Sequence, residues 1–510
     1  EDQDDIEDAD LEGLNEIQGG YTPYLGRLTA VACLGGLQFG WDTGIAAGML
    51  VAIHQDLGHT LSATEQEVIV SATTVGAIIG ALVAGRLSDR LGRKKVMIGA
   101  GIFFTLGSME QAASQVVREL VLGRVLVGLG VGMASMIVPT YLAECAPTSI
   151  RGRIIAINSL LITGGQVVAY MVDAAFYNVP HGWRWMVLAG GVPALVQLIG
   201  LFYLDESPRW LVSKGRHISA RHVLNRIYPL ASETAITNQI HRIEQSLKKD
   251  NNLATSPSTA TAATSHSEDI AVPMNKESNL KSQLSSLWNQ GHNRKALLLA
   301  CGLQAGQQLI GANSILYFSS RLLLMAGFKT NPNAAAISIA VANLIGTALA
   351  LRLVDRIGRR RLLLHALAAA VIALIGLALA LGQIDTGDVT DGSAPTDEHG
   401  GASAWAYVSL IAMVFFLFFY AVGIGIIPWL VQSEIFSGDV RGVGGGLATA
   451  TNWTCNLIIS ATYLDLVRLI TPAGSFGLFA GIGTLTWLFA YFQLPELSGV
   501  SLNDVHSAMS

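Results

Sequence analysis

Within stretches that are otherwise aliphatic, uncharged amide side chains gather at unusual density. Gln304, Gln307, Gln308 and Asn313 fall within ten positions. Gln166, Asn343, Gln432, Asn452 and Asn456 interrupt other apolar runs, with indoles at Trp429 and Trp453. A carboxamide donates and accepts hydrogen bonds at once without carrying charge, and an indole adds a flat apolar face with one donor. Such a set suits a neutral, many-hydroxyl ligand, whose OH groups need both kinds of partner and whose C–H faces can stack on rings. Singly, an amide in an apolar helix is often no more than a hydrogen bond to the next helix. Two charged groups share the setting, Asp42 in "FGWDTG" and Arg124 in "LGRVL". A lone carboxylate in hydrocarbon is tolerable only when protonated or beside a cation, and Arg124 is the candidate cation. The pair is either a proton-exchanging site or a permanent structural ion pair. Asp173, nearer the end of its apolar run, is expected to face water.

The elements that hold these groups are apolar runs of about twenty residues, each long enough to cross a ~30 Å hydrocarbon core as a helix. The 510-residue chain is 51% hydrophobic and only 14% charged. Twelve spans are expected, at roughly 25–48, 66–86, 95–114, 120–142, 154–176, 185–204, 296–325, 334–354, 362–383, 404–432, 443–466 and 473–493. Runs such as "AIIGALVAG" do not alternate apolar and polar residues, so helices are favoured over a barrel of strands. The expected fold class is an all-α membrane protein.

Residues 1–16 hold nine acids and no Lys or Arg, so the remainder carries 28 acids against 32 bases and the net −5 comes from the tail. That tail, 1–20, reads as disordered, and the balance implies no nucleic-acid partner. The short loops after spans 2, 4, 8 and 10 carry thirteen Lys and Arg, against about five on the opposite side. By the positive-inside rule both termini are cytoplasmic. No cleavable signal is expected ahead of span 1. Cys33, Cys145, Cys301 and Cys455 lack metal-ligand spacing and read as inert thiols, and no metal or cofactor is expected. The sequon Asn452-Trp453-Thr454 lies inside span 11 and should stay unglycosylated.

The chain repeats itself. "GRLSDRLGRKK" (85–95) recurs 266 positions on as "LRLVDRIGRRR" (351–361), matching Asp89 to Asp355, Arg90 to Arg356 and Arg93 to Arg359. Glu144 and Arg151-Gly152 recur 290 positions on as Glu434 and Arg441-Gly442. "DESPR" (205–209) and "PELSG" (495–499) close the two halves. The expected division is a tail 1–20, a six-helix half 21–204, a linker 205–294, a second six-helix half 295–494 and a tail 495–510. Two parallel halves with a site between them is the plan of a rocking transporter. The linker should carry short amphipathic helices around "RHVLNRIYPL" and "IHRIEQSLKK", then a Ser/Thr/Ala-rich middle with nothing to bury; the loop 384–401 is similarly polar. A charge cluster at a membrane face is usually a topological anchor, but duplication at matching positions points to more. Asp89 and Asp355 can accept from N–H groups of a neighbouring helix start, and nearby Arg side chains can pair with Glu144 or Glu434. Such contacts are expected to form only when the two halves meet on that face, as a latch.

The ordered set "GRLSDRLGRKK", "VDRIGRRR", "GR" at 123–124, "DESPR", "QQLIGAN", "PWLVQSEIF" and "NW" at 452–453 resembles the sugar porter family of the major facilitator superfamily across all twelve spans. "NSLLITGGQ", "NSILYFS" and "ATNW" with "TPAG" look most like the fungal myo-inositol/proton symporters of that family. The resemblance implies that Gln166, Gln307, Gln308, Asn313, Asn343 and Trp429 contact the ligand, followed by Asn452 and Trp453. It implies that Asp42 and Arg124 couple a proton, and that Asp89, Arg93, Glu144, Arg151, Asp355, Arg359, Glu434 and Arg441 form the gate. The implied partners are a polyol such as myo-inositol or a hexose, a proton and the lipid bilayer, most naturally that of the plasma membrane. A hexose transporter and a transporter-like nutrient sensor are the alternatives. Ser314 and Ala312 depart from the residues usual in hexose porters. A nucleotide-driven pump would need a phosphate-binding G-x-x-x-x-G-K-[ST] loop, and a metalloenzyme an H-E-x-x-H pair; the chain has neither, so no enzyme is expected.

Overall fold

The computed structural model describes residues 21–253, 285–328, 331–384, 403–436 and 440–496. The acidic tail, the Ser/Thr/Ala-rich middle of the linker, the loop 385–402 and the tail from 497 lie outside the described residues. The described chain is helical throughout. Span 1 is Pro23–Ala52, span 2 Ala63–Leu91, span 3 Arg93–Ala113, span 4 Val117–Cys145 and span 5 Arg151–Phe176. Span 6 runs over Gly182–Phe202 with a break at Gly190. In the second half, span 7 is Gly291–Leu309 continued by Ala312–Met325, span 8 Pro332–Ile357 and span 9 Arg359–Leu381. Span 10 is Ala404–Val422 continued by Ile427–Ile435. Spans 11 and 12 follow one another within Arg441–Gln493 and are separated by a kink where Ile470 and Thr471 leave helical geometry ahead of Pro472.

Local chemistry sets several starts. Thr22 caps span 1 ahead of Pro23, and Ser62 and Glu65 cap span 2 reciprocally. Asn331 ahead of Pro332 caps span 8, and Ser403 caps span 10. Spans 2 and 8 end alike, on Gly92 and Gly358, whose φ values of 101° and 93° suit glycine alone. The sharp turn these glycines allow starts spans 3 and 9 one residue later.

Spans 2 and 4 approach through Gly76, Gly80, Gly128 and Gly132, where a side-chain carbon would strike the facing backbone. Close backbone contact of this kind replaces the hydrophobic drive that lipid does not supply. The linker helices Pro208–Ser213, His217–Ile227 and Glu233–Leu253 pack Leu211, Val223, Leu224, Ile227 and Ile236 against the base of the first half. Tyr24 donates to Asp205 at 2.9 Å, and Arg226 pairs with the same carboxylate at 2.6 Å. The side of the molecule that carries them is here called the linker face, and the opposite side the far face.

The halves meet along spans 1, 2 and 5 on one side and 7, 8 and 11 on the other. A series of hydrogen bonds joins the halves at the level of Gln166–Asn343 and beyond it toward the far face. Tyr170 donates to the Leu316 carbonyl at 2.6 Å and shares a hydrogen bond with Ser319 at 2.9 Å. Asn331 and Asn333 donate to the carbonyls of Ala174 and Asp173. Glu67 accepts from the backbone N–H groups of Leu464 and Asp465, at 2.6 and 3.0 Å, and Arg321 donates to Gln66. The seam is sealed toward the far face.

Candidate functional site

Spans 7 and 10 both break where the amides gather. Span 7 turns at Gly311, with φ of 84°, and span 10 unwinds between Val422 and Ile427. Gln307 Nε2 joins the two breaks, donating at 2.8 Å to each of the carbonyls of Ile424 and Gly425 that the unwinding sets free. From there a ladder of amides runs across the second half. Asn452 Nδ2 donates to Gln304 Oε1 at 2.7 Å and to Gln307 Oε1 at 2.6 Å. Gln308 Nε2 donates to Asn452 Oδ1 at 3.1 Å, and Asn313 Nδ2 to Gln308 Oε1 at 2.6 Å. At the other end Gln304 donates to Gln432, which donates in turn to Gly445 and Thr449. The interior rungs Gln304, Gln307 and Asn452 are almost wholly enclosed, whereas Asn313 is half-buried at the open end. The amides satisfy one another, so a ligand hydroxyl must take the place of an amide partner rather than meet an unmet group.

Gln166 and Asn343 meet across the halves, Asn343 Nδ2 donating to Gln166 Oε1 at 2.6 Å, both buried. Trp453 is half-buried and stands 6.1 Å, ring to ring, from Phe39 of the first half. Trp429 is exposed and shares no hydrogen bond with the ladder among the described residues. Of the eight residues the family resemblance implies for the ligand, the structure joins Gln307, Gln308, Asn313 and Asn452 in one network. It sets Gln166 and Asn343 in a second and leaves the two indoles outside both. Gln304 and Gln432 extend the ladder, although the resemblance does not single them out.

In the first half Arg124 Nη1 lies 2.6 Å from Asp42 Oδ1, and Arg124 is 1% exposed. Its Nε donates to the Ile69 carbonyl of span 2 at 3.3 Å. Beside the pair is a cavity of about 20 Å³ lined by Gln38, Trp41, Ser108 and Gln111, a size that holds one water. Gln38 Oε1, Trp41 Nε1 and Gln111 Oε1 have no protein partner there. Tyr317, on the far segment of span 7, is buried and lies within electrostatic reach of both Asp42 and Arg124. It is a link from the charge pair to the amide-bearing helix that sequence reading missed, because Tyr317 and the charge pair belong to different halves.

At the linker face the duplicated motifs form two matching clusters. Arg93 grips Glu144 with two bonds, Nε at 3.1 Å and Nη2 at 3.0 Å, and its Nη1 donates to the Ser88 carbonyl at 3.0 Å. Arg359 Nη2 reaches Glu434 at 3.2 Å, and among the described residues Arg359 Nε and Glu434 Oε2 have no partner. Both pairs lie inside a single half, in a conformation whose seam is sealed at the other face. This corrects the expectation that such contacts require the halves to meet. The role expected of Asp89 and Asp355 is also filled otherwise. Glu206 accepts from the N–H groups of Arg93, Lys94 and Ser207, and Glu496 from Arg359 N–H. Gly92 and Gly358 leave room for these longer carboxylates. The Asp89 and Asp355 carboxylates are exposed and, among the described residues, pair with Arg93 and Arg359 at 3.5 and 3.3 Å. Burial pushes the Glu206 carboxyl up, against the pull of its three N–H donors. Ser207 Oγ donates to Glu144 and ties the linker into the cluster. Arg151 is exposed beside Tyr228 and makes no ion pair among the described residues; the Arg441 side chain lies outside them. Asp173, expected to face water, is fully buried.

A family model described as sugar (and other) transporter matches residues 28–509. The chain belongs to the sugar transporter family. The protein is therefore a transporter rather than an enzyme, an integral membrane protein with the major facilitator fold. This sugar transporter is 40% identical over 485 residues to myo-inositol transporter 1 of Cryptococcus neoformans, covering 95% of this chain and 81% of that one. It is 40% identical over 484 residues to myo-inositol transporter 2 of Schizosaccharomyces pombe, covering 94% and 81%. A solved structure of the xylose transporter XylE from E. coli, in a partially occluded inward-open conformation, superposes with a TM-score of 0.73 at 25% identity. That match covers 94% of this chain and all of XylE.

Proposed function

We propose that this sugar transporter is a proton-coupled symporter of myo-inositol that works by alternating access. Residues 21–204 and 295–494 are its moving halves and 205–294 the linker. The observation that carries the reading is the uncharged amide ladder across spans 7, 10 and 11, set beside one buried acid–base pair. Gln307 and Gln308, with Asn313 and Asn452, hold ring hydroxyls of the ligand from one half, and Gln166 and Asn343 cover it from the seam. Trp429 and Trp453 face its C–H surfaces. Asp42 carries the proton. Protonated, it no longer holds Arg124 by charge, and the loss reaches span 7 through Tyr317, which lies within electrostatic reach of both. The names of the fungal relatives support the inositol assignment, and the symmetry of the two linker-face clusters supports the gating role. The basic loops put the linker face and both termini in the cytoplasm, so the sealed far face makes this an inward-facing conformation. The plasma membrane is the natural address for uptake.

The test is labelled uptake into proteoliposomes with and without an imposed pH gradient, competed by unlabelled polyols. Myo-inositol should be concentrated only when the gradient is present. A hexose, which replaces one hydroxyl-bearing ring carbon by an ether oxygen, leaves an amide unmet at a cost of ~1–3 kcal/mol, so glucose should compete roughly five- to hundredfold less well. Efficient glucose uptake without inositol uptake would reverse the substrate assignment in favour of a hexose.

A further inference from the structure

Asp173 sits in span 5, seven residues beyond Gln166 toward the far face, and is 0% exposed. Its Oδ2 accepts the backbone N–H of Gly48 in span 1 at 3.1 Å, and its Oδ1 has no partner. A side-chain carbon at Gly48 would occupy the place of this carboxyl, so glycine is what admits it. The surroundings come from both halves. Span 8 donates Asn333 Nδ2 to the Asp173 carbonyl at 3.2 Å and Asn331 Nδ2 to that of Ala174. The far segment of span 7 presents Leu316 and Ser319 to Tyr170, three residues back.

Among the described residues no Lys, Arg or His faces the carboxyl from spans 1, 5, 7 or 8, and Tyr170 is the titratable side chain within electrostatic reach. One N–H cannot compensate a buried anion, so ionisation in the closed seam would leave a charge without a counter-charge. Glu67, the other buried acid of the seam, differs. It accepts from two N–H groups and has Arg321 and Arg468 nearby, with the Asp465 carboxylate acting against them.

We propose that Asp173 is a second proton-binding group, one that takes its proton from the far side as the seam closes and returns it to the same side as the seam opens. The reading rests on alternating access. Enclosure by spans 1, 5, 7 and 8 bars the group from the linker face, so its proton does not travel with substrate and leaves the coupling stoichiometry unchanged. When spans 5 and 8 part, the carboxyl meets water and ionises. Far-side acidity therefore favours the closed seam by up to about tenfold per pH unit.

The test uses the full-length protein in lipid, with Asp42→Asn to silence the other titration and the four cysteines replaced. Spin labels at Val179→Cys and Phe328→Cys report the far-face distance. The far-face-open population should rise with pH, by up to about tenfold per unit, and become independent of pH when Asp173→Asn is added. Should Asp173→Asn fail to fold, Asp173→Ser serves, together with the infrared band of a protonated acid in the Asp173-containing protein, which should disappear as the distance opens. A distance that answers to added myo-inositol but not to pH overturns the proposal alone, as does a pH response that survives loss of the carboxyl. A distance that answers to neither overturns alternating access and this proposal with it.

Discussion

Spans 1 and 7 are the same helix of a duplicated unit put to two uses. Gly36, Gln38 and Gly40 recur 266 positions on as Gly302, Gln304 and Gly306, which sets Trp41 and Asp42 opposite Gln307 and Gln308. In the first half the acid turns to Arg124 of its own half and is closed off. In the second, the amides at the same positions turn to Asn452 and Asn313 and stay neutral. Span 1 runs straight through to Ala52, whereas span 7 turns at Gly311, three residues after Gln308. Having a carboxylate in one half and a carboxamide in the other separates a position that can change charge from one that can only exchange hydrogen bonds. A hydroxylated ligand can compete with an amide, but a buried ion pair yields only to a proton.

The sharpest way to break this division is Asp42→Asn, which makes span 1 resemble span 7. Accumulation driven by a pH gradient, about tenfold per unit for one proton per ligand, should fall to simple equilibration while exchange of labelled for unlabelled ligand persists. Undiminished uphill transport would end the distinction. Next in size is Gln308→Ala, which strands Asn313 Nδ2 and Asn452 Oδ1 as well as a ligand hydroxyl. Apparent affinity should drop roughly five- to hundredfold, from ~1–3 kcal/mol, with the pH dependence of accumulation intact. An altered coupling ratio instead would show that span 7 carries charge information as well. The smallest effect concerns the linker-face clusters. Arg93→Ala and Arg359→Ala should slow turnover by about fivefold or less without changing ligand affinity, as partly exposed pairs are worth about 1 kcal/mol or less. Arg93, with its two-bond grip on Glu144, should cost more than Arg359, with its single bond to Glu434. Equal losses would mean that the second cluster tightens elsewhere in the cycle.

Much of this was legible along the chain because membrane helices announce themselves. Span positions follow from runs of apolar residues that must satisfy their backbone internally, and the duplication follows from charged turns that recur at a fixed offset. The family followed from ordered motifs, and with it the residue types of the pathway. What the sequence could not settle was which partner each polar group takes. Asp89 reads as an acid one turn before a helix start, yet the longer Glu206, more than a hundred residues on, reaches the N–H groups of Arg93 and Lys94 first. Asp173 reads as an acid near a helix end, bound for water, until span 8 and Gly48 close over it. Apolar periodicity and motif spacing are properties of one strand of sequence and survive without the fold. Hydrogen bonds and ion pairs reach only about 3 Å, so which groups come within that reach is decided by how separate helices pack.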